Sequence, residues 1–420
     1  MSLIIRNIVV LLALIFVGFL FFRKNQNKKL NWAIFYSVLF TILSLAIVNY
    51  LCVDLGFWSF NEKETNILKI PFDLYFVWIV VWGIVPVYFF KGKYIFLIAV
   101  VLLWIDLLFM SELGKTELLH LSDDWLIGEG LLILFVFIPS YLWANFSYLD
   151  LYKNIRAIFQ IVVMTQLFII GLPFLLNAYG LIDVINYKWS SIEFQVFLII
   201  VFPALVAVCD LVTKGNGTPF PYDSTKILVR TGVYAYCRNP IQWSFTLMFA
   251  SLSFYHSSLY LLLGSVFSVA YSFGVSDFQE YPDMEKRYGK DWLNYKQIVP
   301  KWIFLWRPTG IPEASIYFDS NCSQCSQIGK WFGKFKTVNL KVKSADNYPG
   351  DEILQVTYVD FYGTEYKSVK AIAYALEHMN LASASLGWMI RMPIISYVLQ
   401  AIVDSMNFGR GIESCEKKIK

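Results

Sequence analysis

Charge is scarce in this chain. Of its 420 residues only 16% are Asp, Glu, Lys or Arg, while 57% are hydrophobic and 18% aromatic. So little charge, with a mean hydropathy of +0.54, excludes an ordinary soluble domain and points to a multi-span membrane protein. Excess positive charge is missing as well. A net charge of +4 is too small to grip a phosphate backbone, so no nucleic-acid partner is expected. The histidines are His120, His256 and His378, too far apart to suggest a metal site, and no metal is expected. Among the cysteines (Cys52, Cys209, Cys237, Cys322, Cys325 and Cys415) only Cys322 and Cys325 are neighbours, so no disulfide framework is implied. Repeats and low-complexity tracts are absent. The first apolar run, Ile8 to Phe22, is followed by Arg23-Lys24 without a small-residue cleavage site, and reads as an uncleaved span.

Apolar stretches long enough to cross roughly 30 Å of hydrocarbon recur at 3–22, 31–52, 70–90, 94–111, 125–145, 156–178 and 191–212. A shorter pair follows at 240–254 and 257–276, turning near His256-Ser257-Ser258; each member is either a full span or half of a re-entrant hairpin, and both options return the chain to the same side. The predicted fold class is therefore an α-helical polytopic membrane protein with about nine transmembrane segments. Basic loops at Arg23–Lys29, Lys91–Lys93 and Lys153–Arg156 fall on one face if the spans alternate. The intervening loops carry Asp54, Glu62, Glu64, Glu112, Glu117, Asp123, Asp124 and Asp183. Positive loops stay inside, which predicts an inner or plasma membrane protein with its N-terminus outside and its C-terminal end in the cytoplasm. Asp106, Glu129, Gln160, Gln166 and Gln195 lie within spans; they are either functional or paired inside the bundle. Pro86, Pro139, Pro173 and Pro203 are expected to kink their helices.

A polar loop interrupts the apolar runs. Gly215-Asn216-Gly217 gives backbone freedom and lets a ligand approach the main chain. Tyr234, Tyr236 and Trp243 bring aromatic faces near Arg238; Arg238 suits a carboxylate or other anion, and Pro240 suits the first position of a helix. Glu280, on the next polar segment, suits an ammonium. An anion partner, a cation partner and aromatic walls fit an amino-acid-like methyl donor, S-adenosylmethionine, whose sulfonium the aromatic faces stabilise. Tyr, Trp and Arg at headgroup depth are also ordinary membrane-interface chemistry.

The order of motifs here is Gly217-Thr218-Pro219, Leu228-Val229-Arg230-Thr231-Gly232-Val233-Tyr234, Arg238-Asn239-Pro240, Glu280-Tyr281-Pro282-Asp283-Met284 and Tyr288-Gly289-Lys290-Asp291-Trp292-Leu293-Asn294-Tyr295. Over roughly 205–308 this resembles the isoprenylcysteine carboxyl methyltransferase-like family, in its Arg-Asn-Pro branch. The resemblance implies that residues around Arg238, Asn239 and Pro240 hold the adenosine end of the donor and Glu280 its amino group, with Gly217, Tyr234 and Tyr295 completing the site. Gln242, Tyr281 and Trp292 depart from the family's residues at those positions. A lipid-like or isoprenoid-linked acceptor entering from the bilayer is implied. Gly56-Phe57-Trp58 followed by Ile70-Pro71-Phe72-Asp73-Leu74 resembles the lycopene-cyclase-type membrane domain and points to the same class of acceptor.

Composition shifts after Trp306-Arg307-Pro308. The expected organisation is an N-terminal transmembrane region over 1–150, a methyltransferase-like core over 151–308, a linker over 309–313 and a small α/β domain over 314–420. In that domain Ser315-Ile316-Tyr317-Phe318-Asp319 reads as a strand, and Cys322-Ser323-Gln324-Cys325 opens a helix, where free amides favour a thiolate. The Asp319-Ser320-Asn321-Cys322-Ser323-Gln324-Cys325 signature, with Asp360-Phe361-Tyr362-Gly363, Trp388, Pro393, Tyr397 and Asn407-Phe408-Gly409-Arg410, resembles the DCC thiol-disulfide oxidoreductases. That resemblance implies a thioredoxin-like fold, with Cys322 as the attacking catalytic thiol, Cys325 as the resolving one and a thiol or disulfide partner. Two further functions compete with methyl transfer: a membrane-anchored oxidoreductase whose spans only bind lipid, and a sterol-reductase-like enzyme. The latter needs a nicotinamide phosphate site, for which the 214–239 loop offers few bases.

Overall fold

A computed structural model describes residues 2–22, 27–61, 66–92, 94–183, 188–220, 223–318, 323–349 and 355–405. The chain divides into two compact units, Met1–Ile185 and Asn186–Lys420. Among the described residues six helices are long and apolar enough to cross a membrane. They are α2 (Lys28–Asp54), α3 (Phe72–Phe90), α4 (Ile95–Gly114), α5 (Trp125–Leu149), α6 (Lys153–Asn177) and, in the second unit, α7 (Ser191–Thr213). The opening helix α1 (Ser2–Phe22) has a shorter apolar run, Arg6–Leu20.

The proline kinks take a specific form. In α3, α5 and α6 the α-helix gives way to π-helix at Ile79–Ile84, Ile133–Phe137 and Thr165–Gly171. Each segment ends two residues before a proline: Pro86, Pro139 and Pro173. A proline offers no N–H and its ring crowds the carbonyl four residues back. The helix absorbs this by widening, so that the residue just before each proline donates to the fifth carbonyl back: Val85 to Val80, Ile138 to Ile133 and Leu172 to Leu167. Pro203 differs, sitting inside α7 without such a segment.

The core of the first unit is built on Trp58, Trp78, Trp82, Phe137 and Tyr141. A short antiparallel ribbon of β1 (Trp58–Phe60) and β2 (Leu119–Leu121) joins the loops after α2 and α4. Asp106 and Glu129 are both buried, with side chains within reach of one another. Trp78 Nε1 donates to Asp106 Oδ1 at 2.8 Å. Trp78→Phe keeps the ring but removes that donor. It is expected to cost about 1–3 kcal/mol, the penalty for an unsatisfied buried acceptor, read as a lower midpoint of thermal unfolding in detergent; an unchanged midpoint would contradict it.

In the second unit, α7 packs on α8 (Pro240–Tyr255), and α8 pairs with α9 (Leu259–Tyr271) as a helical hairpin. A π-helical segment, Ser272–Glu280, leads into α10 (Tyr281–Tyr288) and α11 (Lys290–Ile298). This π segment too ends two residues before a proline, Pro282. The C-terminal part is a four-stranded sheet of β3 (Ala314–Phe318), β4 (Leu340–Ser344), β5 (Thr357–Val359) and β6 (Glu365–Lys367), in the order β4-β3-β5-β6. β3 and β4 are parallel across helix α12 (Ser323–Lys334), while β5 and β6 add as antiparallel strands. Helices α13 (Ser368–Leu376), α14 (Leu381–Ile390) and α15 (Pro393–Ser405) complete it.

Candidate functional site

The site is made where the chain leaves α7 and where it leaves α9. Helix α8 starts at Pro240, with Asn239 as its cap residue. The preceding turn, Gly232–Ala235, is a single 3₁₀ turn that Gly232 enters at φ +64°. The chain after α11 returns alongside this loop as an extended strap. Arg238 N–H donates to the Pro300 carbonyl (2.9 Å), Asn239 N–H to Lys301 (3.3 Å), Leu305 N–H to Tyr236 (3.0 Å) and Thr309 N–H to Ala235 (2.9 Å).

Arg238 lies against a pair of aromatic rings, its guanidinium carbon 5.4 Å from the Tyr281 centroid and 5.8 Å from that of Trp292, with the two rings themselves 5.3 Å apart. One terminal nitrogen donates to the Lys296 carbonyl at 2.6 Å and the other reaches the Tyr281 hydroxyl at 3.4 Å. Its Nε–H is buried without a hydrogen-bond partner. Tyr295, fully packed against Trp292, donates its hydroxyl to the Tyr234 carbonyl at 2.9 Å. Glu280 is half-buried at the last position of the π segment, and its charge is felt at the Tyr234 hydroxyl.

Lys301 connects the two halves. Its ammonium donates to the Ser272 carbonyl (2.9 Å) and to Asp277 (2.7 Å), both on the π segment that carries Glu280. Its carbonyl meanwhile accepts from Asn239 N–H and from the Cys237 thiol.

The thiol and the phenols at the site are held neutral. Burial pushes the Cys237 thiol up to about 12 against the pull of the Asn239 backbone and Arg238. Burial also lifts Tyr281 to about 12, with Arg238 opposing. Tyr234 and Tyr295 are raised by the same cause, with neighbouring phenols, thiol and carboxylates adding to it in Tyr234. Near neutral pH the tyrosines are therefore hydrogen-bond donors and not bases.

The structure brings Tyr234, Arg238, Asn239, Pro240, Glu280 and Tyr295 to this one region. Gly217 serves its own loop: a Cβ there would lie 2.5 Å from Thr225 N, so what approaches this glycine is the chain's Ser224–Thr225 backbone. Cys322 lies outside the described residues, and Cys325 is on the first turn of α12. Two contributors escaped the sequence reading. Trp292, which departs from the expected tyrosine, forms one wall around Arg238. Lys301 is the other; only its place just after Val299-Pro300 marked the strap.

A family model described as phospholipid methyltransferase matches residues 199–291. The matched stretch contains Gly217, Tyr234, Arg238, Asn239, Pro240 and Glu280, and stops short of Tyr295 and Lys301. No curated protein matches the chain, and no solved structure does. The family match and the apolar helices together support an integral membrane methyltransferase.

Proposed function

We propose that the protein transfers a methyl group from S-adenosylmethionine to a lipid-like or isoprenoid-linked acceptor within the membrane. The observation that carries this reading is the buried, unpartnered Nε–H of Arg238 beside Tyr281 and Trp292, with Glu280 on the segment that precedes Tyr281, Arg238 and Glu280 both inside a stretch similar to phospholipid methyltransferases. The donor supplies an electrophilic methyl on a sulfonium. Arg238 presents its orphan donor to the carboxylate, Glu280 takes the ammonium, and the aromatic faces favour the cationic sulfur. Such a transfer needs alignment and a dry path more than an acid or base, in keeping with the neutral residues around the site. We place the basic loops, the donor site and the C-terminal domain on the cytoplasmic side, and the short helices α1, α8 and α9 as further spans, about nine in all.

Isothermal titration of S-adenosylhomocysteine into detergent-purified protein tests the donor site. Binding to the wild type, weakened about tenfold to a hundredfold in Arg238→Ala and in Glu280→Ala, is the expected result, since a hydrogen bond to a charged group contributes about 1.5–3 kcal/mol. No binding to a folded wild type removes the reading.

A second reading rests on the C-terminal sheet. A β3-α12-β4 parallel crossover followed by the antiparallel β5-β6 pair and a helix supports a thioredoxin-like domain. In it Cys322 attacks and Cys325 resolves, the membrane part serving as a lipid-binding scaffold. Absent donor binding with retained dithiol exchange favours this alternative.

A further inference from the structure

Helix α15 presents an apolar face to the outside of the protein. Ile394 and Tyr397 are 79% and 78% exposed, and Val398, Ala401 and Ile402 lie open beside them at helical spacing. The opposite face is spoken for: Ser396 is buried and Gln400 receives the Val369 N–H, where α15 rests on α13 and α14. Asp404 is the only charged residue on the helix. A water-facing helix carries charges along its outer face; this one exposes mainly apolar residues, with its single charge at the C-terminal end.

The position of the helix says what covers that face. Taken together, α14 and α15 are long and apolar enough for a membrane span, yet they are bent by 82°. α14, at 10 residues, is too short to cross alone, and it is packed into the second unit: Ala384, Gly387 and Trp388 are buried and Trp388 packs edge-on against Tyr236, in the loop before α8, at 5.5 Å. α15 alone, at 13 residues, is too short to cross. At the bend, Arg391 donates to Asp210 at 2.8 Å. Asp210 lies in the last turn of α7, three residues before that span ends at Thr213. Two residues after Arg391 comes Pro393, the first residue of α15, a reach of at most about 7–8 Å. The exposed face therefore begins at the polar end of a membrane span.

We infer that α15 lies flat in the lipid–water boundary, its Ile394, Tyr397, Val398, Ala401 and Ile402 face seated among the acyl chains and headgroups. The length of the helix along the surface is about 20 Å, and a tyrosine near its start suits headgroup depth. Arg391 fixes the angle at which the C-terminal part meets the bilayer. The inference rests on α7 as a span and is independent of which chemistry the chain performs.

The test uses the full chain in nanodiscs of phosphatidylethanolamine and phosphatidylglycerol, with p-benzoylphenylalanine replacing Tyr397 in one variant. A second variant carries it in place of Tyr362, which is 58% exposed at the β5–β6 turn. Both sites are exposed aromatics, so the folded state tolerates the exchange. After irradiation, mass spectrometry is expected to find phospholipid adducts at position 397 and none at 362. Adducts at 397 to a second copy of the chain or to its own 406–420 segment, with no lipid, would overturn the inference. So would lipid adducts at both positions, or none at either.

Discussion

Arg391→Met is expected to lower the stability of the second unit by about 3 kcal/mol or more. Arg391 is 6% exposed in its side chain and lies 2.8 Å from Asp210 and 2.6 Å from Glu377, which are 0% and 2% exposed. Lys214 adds a second cation, 3.1 Å from Asp210 and 3.8 Å from Glu377, so the cluster holds two positive and two negative charges in balance. Removing the guanidinium leaves a buried carboxylate without compensation, and the cost of that exceeds what the pair itself contributes. Gly232 shows how tightly the cluster is enclosed: a Cβ there would stand 2.1 Å from Asp210 Oδ2. Thermal unfolding in detergent, followed by tryptophan fluorescence, provides the measurement. A fourfold exchange of Arg391, Asp210, Glu377 and Lys214 for apolar residues of similar volume, which leaves no charge behind, should recover much of the loss. A single Arg391→Met variant as stable as the parent would refute the buried network.

The second large effect is on pH dependence. His378 is fully buried; its Nδ1–H donates to the Val338 carbonyl at 2.7 Å and its Nε2 accepts from the Tyr358 hydroxyl at 2.8 Å. Burial holds its pKa down to about 4 from an ordinary 6.5, with Lys214 pulling the same way and the Val338 carbonyl opposing. An unfolded chain takes up this proton near pH 6.5 while the folded one resists until about 4. The stabilisation is thus complete above the first value and lost as pH falls to the second, amounting to about 3 kcal/mol. His378→Gln, which does not titrate, should flatten that part of the stability profile while lowering its plateau. If the variant keeps the slope of the parent across this window, the histidine is not its source.

The spans were legible because bilayer thickness imposes a length and an apolar composition that no packing detail can override. The helix start at Pro240 was legible for a local reason as well, since proline needs no amide partner at that position. Other features depend on what is far apart in the chain. Asp210 and Arg391 are 181 residues distant; the only signal was a carboxylate at the end of an apolar span. Arg238 was picked out by residue type, but its walls come from Tyr281 and Trp292, and the second of these read as a departure from an expected pattern. Gly217 was read as room for a ligand, whereas its space is taken by the backbone of its own loop. The prolines announced bends, and local chemistry could not say that each would be absorbed as a widened turn.

Those widened turns change how the helices are keyed. A helix advances about 100° per residue, and a π segment contains one residue more than an α-helix of the same rise. Everything beyond it is rotated by that step relative to an uninterrupted helix. The segment Ser272–Glu280 follows the hairpin and carries Glu280 as its last residue, so the direction of Glu280 is a matter of phase. Shortening that stretch by one residue would leave its composition almost unchanged and swing the carboxylate a little more than a quarter-turn away. The widened turn is the clock setting of the site.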